Sequence, residues 1–581
     1  MTTPVPSRAP EADFADGAKE PRDAPGTDSA RRRVAWLVAG IVVVLLALLC
    51  GATAIVALGA KGSLEDGRRA IQAGRRELVG GRLPTATSKF TEAEVSFQRA
   101  LDRSGSGVGG LLGRVPVIGR TLIVASGIAE AGRDLSAAGA RLTGSIASMP
   151  EGLGSLAPEA GRIPVEALTA LGDDIEEAAA QAKVAANTVR STPDSLLPAV
   201  VADARFEAQE ETTSLSRSLD AAAMMVRRFP EFAGANGTKR YLLVAESPAE
   251  QRGTGGIWGA YAIMTARDGH LSFGPFSQLQ VFPEVPPDEL PAPSPDYRRN
   301  YDHYGGAGAW TDVNMTPDLP SAARAVLSAY AYTTGETLDG VLVADPFAVR
   351  EMLRVTGRAS IPSLDVSIGP GSVVDFMTNE AYTLFPFRGR ERKTVLGEVV
   401  GHAFDRFLAQ PGRSTAKLKA IAKAAGDGHL RLYSTDPSLE RALELGGLDG
   451  GLRVPAGSDL LAVHVNSRSG SKVDFYATRT IDYEVRLGGD GEAFATTDIT
   501  IRNDAPTDGV PGYVIEPHVP GYTAGDNVSL VSASCPGPCE LVETRRNDRR
   551  IGLTQGEELD RPWFQDFFTT PGGDTTTLSI V

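Results

Sequence analysis

The residues best suited to chemistry stand in two clusters. Arg252 lies among Gly253, Gly255, Gly256 and Gly259, between two short apolar runs. Arg388, Arg390, Arg392 and Lys393 stand together immediately before an apolar stripe at helical spacing. A guanidinium offers five donors in a fixed fork that suits phosphate or carboxylate, and glycines let backbone N–H groups approach such a ligand closely. The two clusters together suggest an anion site built from Arg252, Gly255, Gly256, Arg388, Arg390, Arg392 and Lys393. Cations at a helix amino terminus oppose its dipole at a cost of roughly a few tenths of a kcal/mol or more. Local conflicts of that kind collect at functional sites. A glycine-rich strand connection and a solvated basic turn account for the same residues without any ligand.

The surrounding chain must hold these clusters in place. Tyr241–Ala245, Tyr261–Met264 and Leu271–Phe273 are short apolar runs, and Asp268-Gly269 between the last two is a hairpin signal. Leu338–Asp345 reads as a buried strand and Pro346–Thr356 as the helix after it, the alternation expected of a sheet covered by helices. Val395, Leu396, Val399, Val400, Ala403, Phe404 and Phe407 form the stripe behind the basic cluster. These elements predict a central α/β domain over residues 236–450.

Residues 61–232 are Ala-rich and strand-poor, which predicts a helical stalk or bundle. Phe90, Ala93, Phe97, Ala100 and Leu101 make one of its apolar stripes. Residues 458–581 carry short alternating runs rich in β-branched side chains, the texture of a β-sandwich. Residues 1–33 have almost nothing apolar to bury and read as a disordered tail. Val34–Leu58 is free of charge over about 25 residues, long enough for a transmembrane helix. Arg31–Arg33 abut that run and orient the tail to the cytoplasm, with the bulk of the chain extracytoplasmic. The expected fold class is therefore α+β multidomain: one transmembrane helix, a helical bundle, a central α/β domain and a β-sandwich.

A net charge of -14 and a pI near 5.1 argue against a nucleic-acid partner, which needs a basic surface. No G-x-S-x-G elbow and no P-loop occurs, and the six histidines are scattered with no pair at helix spacing. Cys50 falls inside the apolar run, leaving Cys535 and Cys539 to form a small disulfide loop or stand as two free thiols. Tyr297, Tyr301 and Tyr304 stand with Arg298, Arg299, Asp302 and His303 beyond a Pro-rich segment. That cluster is suited either to touching a sugar or lipid head group or to a solvated loop edge.

The block Ala245-Glu246-Ser247-Pro248-Ala249-Glu250-Gln251-Arg252-Gly253-Thr254-Gly255-Gly256, with Trp310–Pro320, Leu338–Pro346, His464-Val465-Asn466 and Lys472-Val473-Asp474, resembles the bacterial domain-of-unknown-function 4012 family of single-pass membrane proteins. More distantly, the order strand, Arg loop, strand, acidic-Gly turn, strand is similar to the start of LytR-CpsA-Psr domains. Those enzymes transfer polyprenyl-pyrophosphate-linked glycopolymers with arginines and Mg2+. That resemblance implies that Arg252 and Arg390 face a pyrophosphate, with Arg388, Arg392 and Lys393 nearby. The chain departs from that family at Thr254-Gly255, where an Asp is expected, and at Gly274–Ser277, where an Arg-Asp pair is expected.

Three functions remain open at this point: binding of an anionic or polyprenyl-phosphate-linked cell-wall glycan, scaffolding among envelope proteins, and phosphotransfer. Phosphotransfer would need Mg2+ held by Asp312, Asp318 or Asp345.

Overall fold

A computed structural model describes residues 61–105, 116–279, 282–386, 389–454, 458–489 and 491–581. The tail over 1–33, the apolar run over 34–58 and Arg388 lie outside the described residues. The expected fold class is corrected in one respect: among the described residues no helix is long and apolar enough to cross a membrane.

The amino-terminal region is a bundle of α1 (Lys61–Val79), α2 (Leu83–Gly105), α3 (Pro116–Ser148), α4 (Val165–Arg190) and α5 (Ala199–Phe232). The i, i+3, i+7 spacing of Phe90, Ala93 and Phe97 places all three on one face of α2, and all are fully buried. Close approach needs residues without side chains on the neighbours. A Cβ on Gly67 of α1 or on Gly132 of α3 would stand 2.8 Å from the Phe97 ring. The bundle is tied to the central domain by backbone hydrogen bonds from Ile163 to the Gly269 carbonyl, 2.8 Å, and from Leu271 to the Gly161 carbonyl, 3.0 Å.

The central sheet is formed by β1 (Lys239–Ser247), β2 (Ile257–Arg267), β3 (His270–Phe273), β4 (Ser277–Gln278), β5 (Gly340–Ala344) and β6 (Leu430–Ser434). Its order is β3-β2-β1-β5-β6, with β4 paired to β2. Only β1 and β5 run parallel, with Tyr241 opposite Gly340 and Ala245 opposite Ala344. Alternation along β1 sends Tyr241 and Leu243 to one apolar layer, and Leu242 and Val244 to the other. On the second side lie α6 (Pro295–Tyr301) and α7 (Leu319–Thr334). On the first lie α8 (Pro346–Thr356), α9 (Gly389–Ala409) and α10 (Ser414–Gly426). The stripe of α9 is its buried face: Val395, Val399, Val400, Ala403, Phe404 and Phe407 are all inside.

The carboxyl-terminal domain is a sandwich of two antiparallel sheets. One contains β7 (Ala462–Ser467), β10 (Asn527–Ser534), β13 (Thr554–Glu558) and β14 (Arg561–Thr570) in the order β13-β14-β10-β7. The other contains β8 (Ala477–Leu487), β9 (Ala493–Asn503), β11 (Thr544–Arg546), β12 (Arg549–Arg550) and β15 (Thr575–Ile580) in the order β8-β9-β15-β11-β12. Val465, Val531, Phe564, Ile499 and Leu578 meet between them. Cys535 and Cys539 are joined by a disulfide after β10.

Candidate functional site

The carboxyl ends of the parallel pair β1 and β5 open on a cavity of about 340 Å3. Ligands of open α/β sheets bind at such strand ends, where the topology turns away. Much of its wall comes from four places. The end of β1 supplies Glu246 and Ser247, and the loop after it supplies Glu250 and Arg252. The first two turns of α9 supply Arg392, Lys393, Leu396 and Gly397. The sandwich closes it with Lys472, Tyr513 and His518.

Arg252 and two residues of the basic cluster, Arg392 and Lys393, thus line one cavity, but they differ in what is left for a ligand. Arg252 is buried, and its Nε and Nη2 both meet Asp312 Oδ1 at 3.0 Å. Nη2 also meets Glu250 Oε1 at 3.1 Å, and Nη1 donates to the carbonyls of Gln251 and Ser467 at 2.9 and 3.2 Å. Burial opposes its charge, yet Glu250 and Asp312 outweigh burial and hold the guanidinium firmly protonated. Lys472 takes the other oxygen of Glu250. Although burial pushes the Glu250 carboxyl up, the two cations hold it below the usual range.

The glycines have structural tasks. A Cβ on Gly253 would strike the Met315 carbonyl, and one on Gly256 the Ser247 carbonyl. Gly255 adopts φ +137° and donates its N–H to the Arg252 carbonyl at 2.8 Å. The Gly253 N–H goes to Asn466 Oδ1 of the sandwich at 3.0 Å, and the Thr254 N–H to the Asn314 carbonyl at 3.3 Å. The N–H groups of Gly253, Thr254 and Gly255 are thus occupied by protein acceptors and are not left for an anion, and the loop acts as a docking strut to the sandwich.

Arg392 is the opposite case. It is buried at 3% exposure, donates to the Phe385 carbonyl at 2.7 Å and to the Tyr513 hydroxyl at 2.9 Å, and makes no ion pair among the described residues. Its guanidinium carbon lies 4.8 Å from the Tyr382 ring centroid and 4.3 Å from that of Tyr513. Its Nε is buried with no hydrogen-bond partner, as is the Ser247 hydroxyl on the same cavity wall. A buried polar atom left unpaired costs roughly 1–3 kcal/mol, so both atoms favour an incoming oxygen. Lys393 stands beside it, its ammonium pKa brought down to about 8 by burial and then by the repulsion of Arg392 and Lys472. A bound anion would relieve that repulsion. Arg390, in contrast, is exposed and stands outside the cavity wall.

Glu246, at 4% exposure, holds Arg431 and accepts from Thr254 Oγ1 at 2.9 Å and Trp258 Nε1 at 3.2 Å. Burial pushes its carboxyl up against the pull of Arg431.

The residues considered for Mg2+ do not fit the ion. Asp312 is committed to Arg252, and Asp318 caps α7 by accepting from the Ser321 N–H at 2.9 Å. Asp345 caps α8 through the Phe347 N–H at 2.8 Å and meets His429 Nδ1 at 2.6 Å. Among the described residues no three His, Cys, Asp or Glu side chains gather as a metal site requires.

A second cavity, of about 230 Å3, lies farther along α9 in the same apolar layer. Phe404 and Phe407 of α9, Leu418 and Ile421 of α10, Phe229 and Phe232 of α5, and Leu342 and Leu432 of the sheet line it. Val400 faces the polar cavity and Phe404 the apolar one, so the two stand one helical turn apart. Sequence reasoning missed this space, which is assembled from elements far apart in the chain.

No curated protein and no solved structure matches the chain. Residues 236–382, which carry β1, β2, β5, Arg252 and Asp312 but end before α9, match a family described as a protein of unknown function (DUF4012).

Proposed function

We propose that this protein binds a polyprenyl-phosphate-linked cell-wall glycan. The phosphate lies against Arg392, Lys393 and the Ser247 hydroxyl, and the first isoprene units enter the apolar cavity. One observation carries the reading: α9 presents a buried guanidinium whose Nε is unpaired to a polar cavity and, one turn beyond that cavity's last wall residue, phenylalanines to an apolar one. A cavity of 150 Å3 is enough for benzene. About 230 Å3 therefore takes a short stretch of hydrocarbon and leaves the rest of a long chain outside. The disulfide supports an extracytoplasmic location, since such bonds persist in oxidising compartments. The function proposed is binding, with no transfer step.

Calorimetry of the full chain with geranylgeranyl phosphate and with geranylgeraniol tests this directly. The phosphate should bind at least about 30-fold tighter, as charge-assisted hydrogen bonds of ~2 kcal/mol or more require. Equal affinity for the two compounds, or none for either, would refute the reading.

A further inference from the structure

A third cavity lies away from α9, where the sandwich meets the aromatic segment of the central domain. It measures about 570 Å3, inside the range of roughly 300–1,000 Å3 typical of small-molecule sites. Its floor is the outer face of the sheet β13-β14-β10-β7, and its roof is α6 with His303 and Tyr304.

The outer face of a two-layer sandwich is ordinarily polar and solvated. Here it carries Trp563 of β14 and Val528 and Leu530 of β10, with Gln565 of β14 and His464 of β7 among them. Trp563 pairs with Gly556 across the sheet, and a Cβ on Gly556 would collide with the indole. The glycine therefore lets the ring lie over the neighbouring strand. His464 is 8% exposed, and its Nδ1 is buried with no hydrogen-bond partner. Burial drops its imidazole pKa to about 4, so at neutral pH the ring is uncharged, and Nδ1 accepts one hydrogen bond in one tautomer or donates one in the other. Gln565 donates to Ser532 Oγ at 2.7 Å, which leaves its amide oxygen for a ligand. At the rim the Arg468 guanidinium carbon stands 4.9 Å from the Tyr304 ring centroid.

An aromatic plane, a neutral imidazole with an orphaned nitrogen, an amide and an arginine, with no carboxylate among the lining residues, suit a polyhydroxylated ring. We infer that this groove is an oligosaccharide-binding site, with a sugar stacked on Trp563 and its hydroxyls hydrogen-bonded to His464, Gln565 and Arg468. Arg468 lines this groove, while Gly470 and Lys472 line the anion cavity, so one short segment separates the two. The inference deepens the proposed function by placing the glycan portion of the ligand. It rests on that reading for the glycan's lipid end and not for the groove itself.

The test is calorimetry of the full chain with tetrasaccharides of glucose, mannose, galactose and N-acetylglucosamine at millimolar concentration, alongside geranylgeranyl phosphate. At least one saccharide should bind, and Trp563→Ala and Arg468→Ala should each weaken it by about tenfold. Both variants should leave geranylgeranyl phosphate binding unchanged. Arg468→Ala removes only a rim side chain, so it decides the matter if Trp563→Ala fails to fold. Binding of no saccharide, or affinities unaltered in Arg468→Ala, would overturn the groove. Saccharide binding without geranylgeranyl phosphate binding would leave the groove standing and overturn the lipid-phosphate reading instead.

Discussion

Arg252 Nη1 donates to the main-chain carbonyl of Ser467 at 3.2 Å, joining the loop after β1 to the end of β7 across 215 residues of chain. The contact is one of a set. The Ser467 N–H returns to the Gln251 carbonyl at 2.9 Å, and the Gln251 N–H reaches Asp474 Oδ2 at 3.0 Å. Asn466 Nδ2 donates to the Met315 carbonyl at 3.0 Å. The wall that Lys472, Tyr513 and His518 lend to the anion cavity depends on this seam.

Replacing Arg252 should therefore act first on domain docking. Arg252→Ala leaves the half-buried Asp312 and one oxygen of the buried Glu250 without their cation, a loss of up to about 3 kcal/mol. The expected outcome is separate melting of the sandwich and the central domain by calorimetry, with accelerated proteolysis between them. A single melting transition at the wild-type temperature would show that the strut carries no such weight.

The same seam should weaken as pH rises from about 4.5 to 7. Glu558 is buried and accepts from the Tyr301 hydroxyl at 2.6 Å and from Thr316. Burial raises its carboxyl pKa to about 7 against those two hydrogen bonds. A carboxyl whose folded pKa is raised contributes stability that is complete below its unfolded value and lost as pH passes the folded one. The contribution is at most about 3 kcal/mol. Glu211 and Glu440 titrate in the same range, also through burial. The informative quantity is therefore the difference between wild type and Glu558→Gln in denaturant titrations from pH 4 to pH 8. The variant should lose part of the slope; identical slopes would remove Glu558 from the account.

Affinity for a prenyl phosphate should fall as pH rises through about 8. Lys393 loses its proton there, and with it one of the two cations of α9 in the cavity wall. Lys393→Met should bind more weakly at neutral pH, by roughly tenfold, and show no further loss between pH 7 and pH 9. An unchanged pH profile in that variant would assign the titration to another group.

Chain length should matter until the apolar cavity is full. Each buried methylene contributes about 0.8 kcal/mol, so geranyl phosphate should bind at least about 30-fold tighter than isopentenyl phosphate. Ala422→Phe places a ring into that cavity and should erase the preference while leaving isopentenyl phosphate binding alone. A preference that survives the substitution would put the hydrocarbon elsewhere.

Local pattern conveyed the individual elements. The hairpin at Asp268-Gly269, the strand ending at Ala344 and the buried stripe of α9 all follow from turn chemistry and periodicity. What local pattern omits is pairing over distance. Glu250 stands two residues from Arg252, but Asp312 and Ser467 lie 60 and 215 residues away, and they turn a free-looking arginine into a strut. Among the basic residues of α9, Arg390 faces solvent and Arg392 faces the cavity because helical geometry points neighbouring side chains in different directions. Tyr297 and Tyr301, which look like part of an exposed cluster, are buried, and Tyr301 and Tyr304 line the groove beneath α6. The aromatic face of Trp563 and the orphaned His464 nitrogen carried no local signal, since both depend on which side of β14 and β7 meets α6.

The central claim is that Arg392 receives the phosphate. Its most direct measurement is calorimetric titration of geranylgeranyl phosphate into wild type and Arg392→Met, with melting curves to show that the variant is folded. The account predicts a loss of at least about 30-fold in the folded variant. Wild-type affinity in folded Arg392→Met would contradict it.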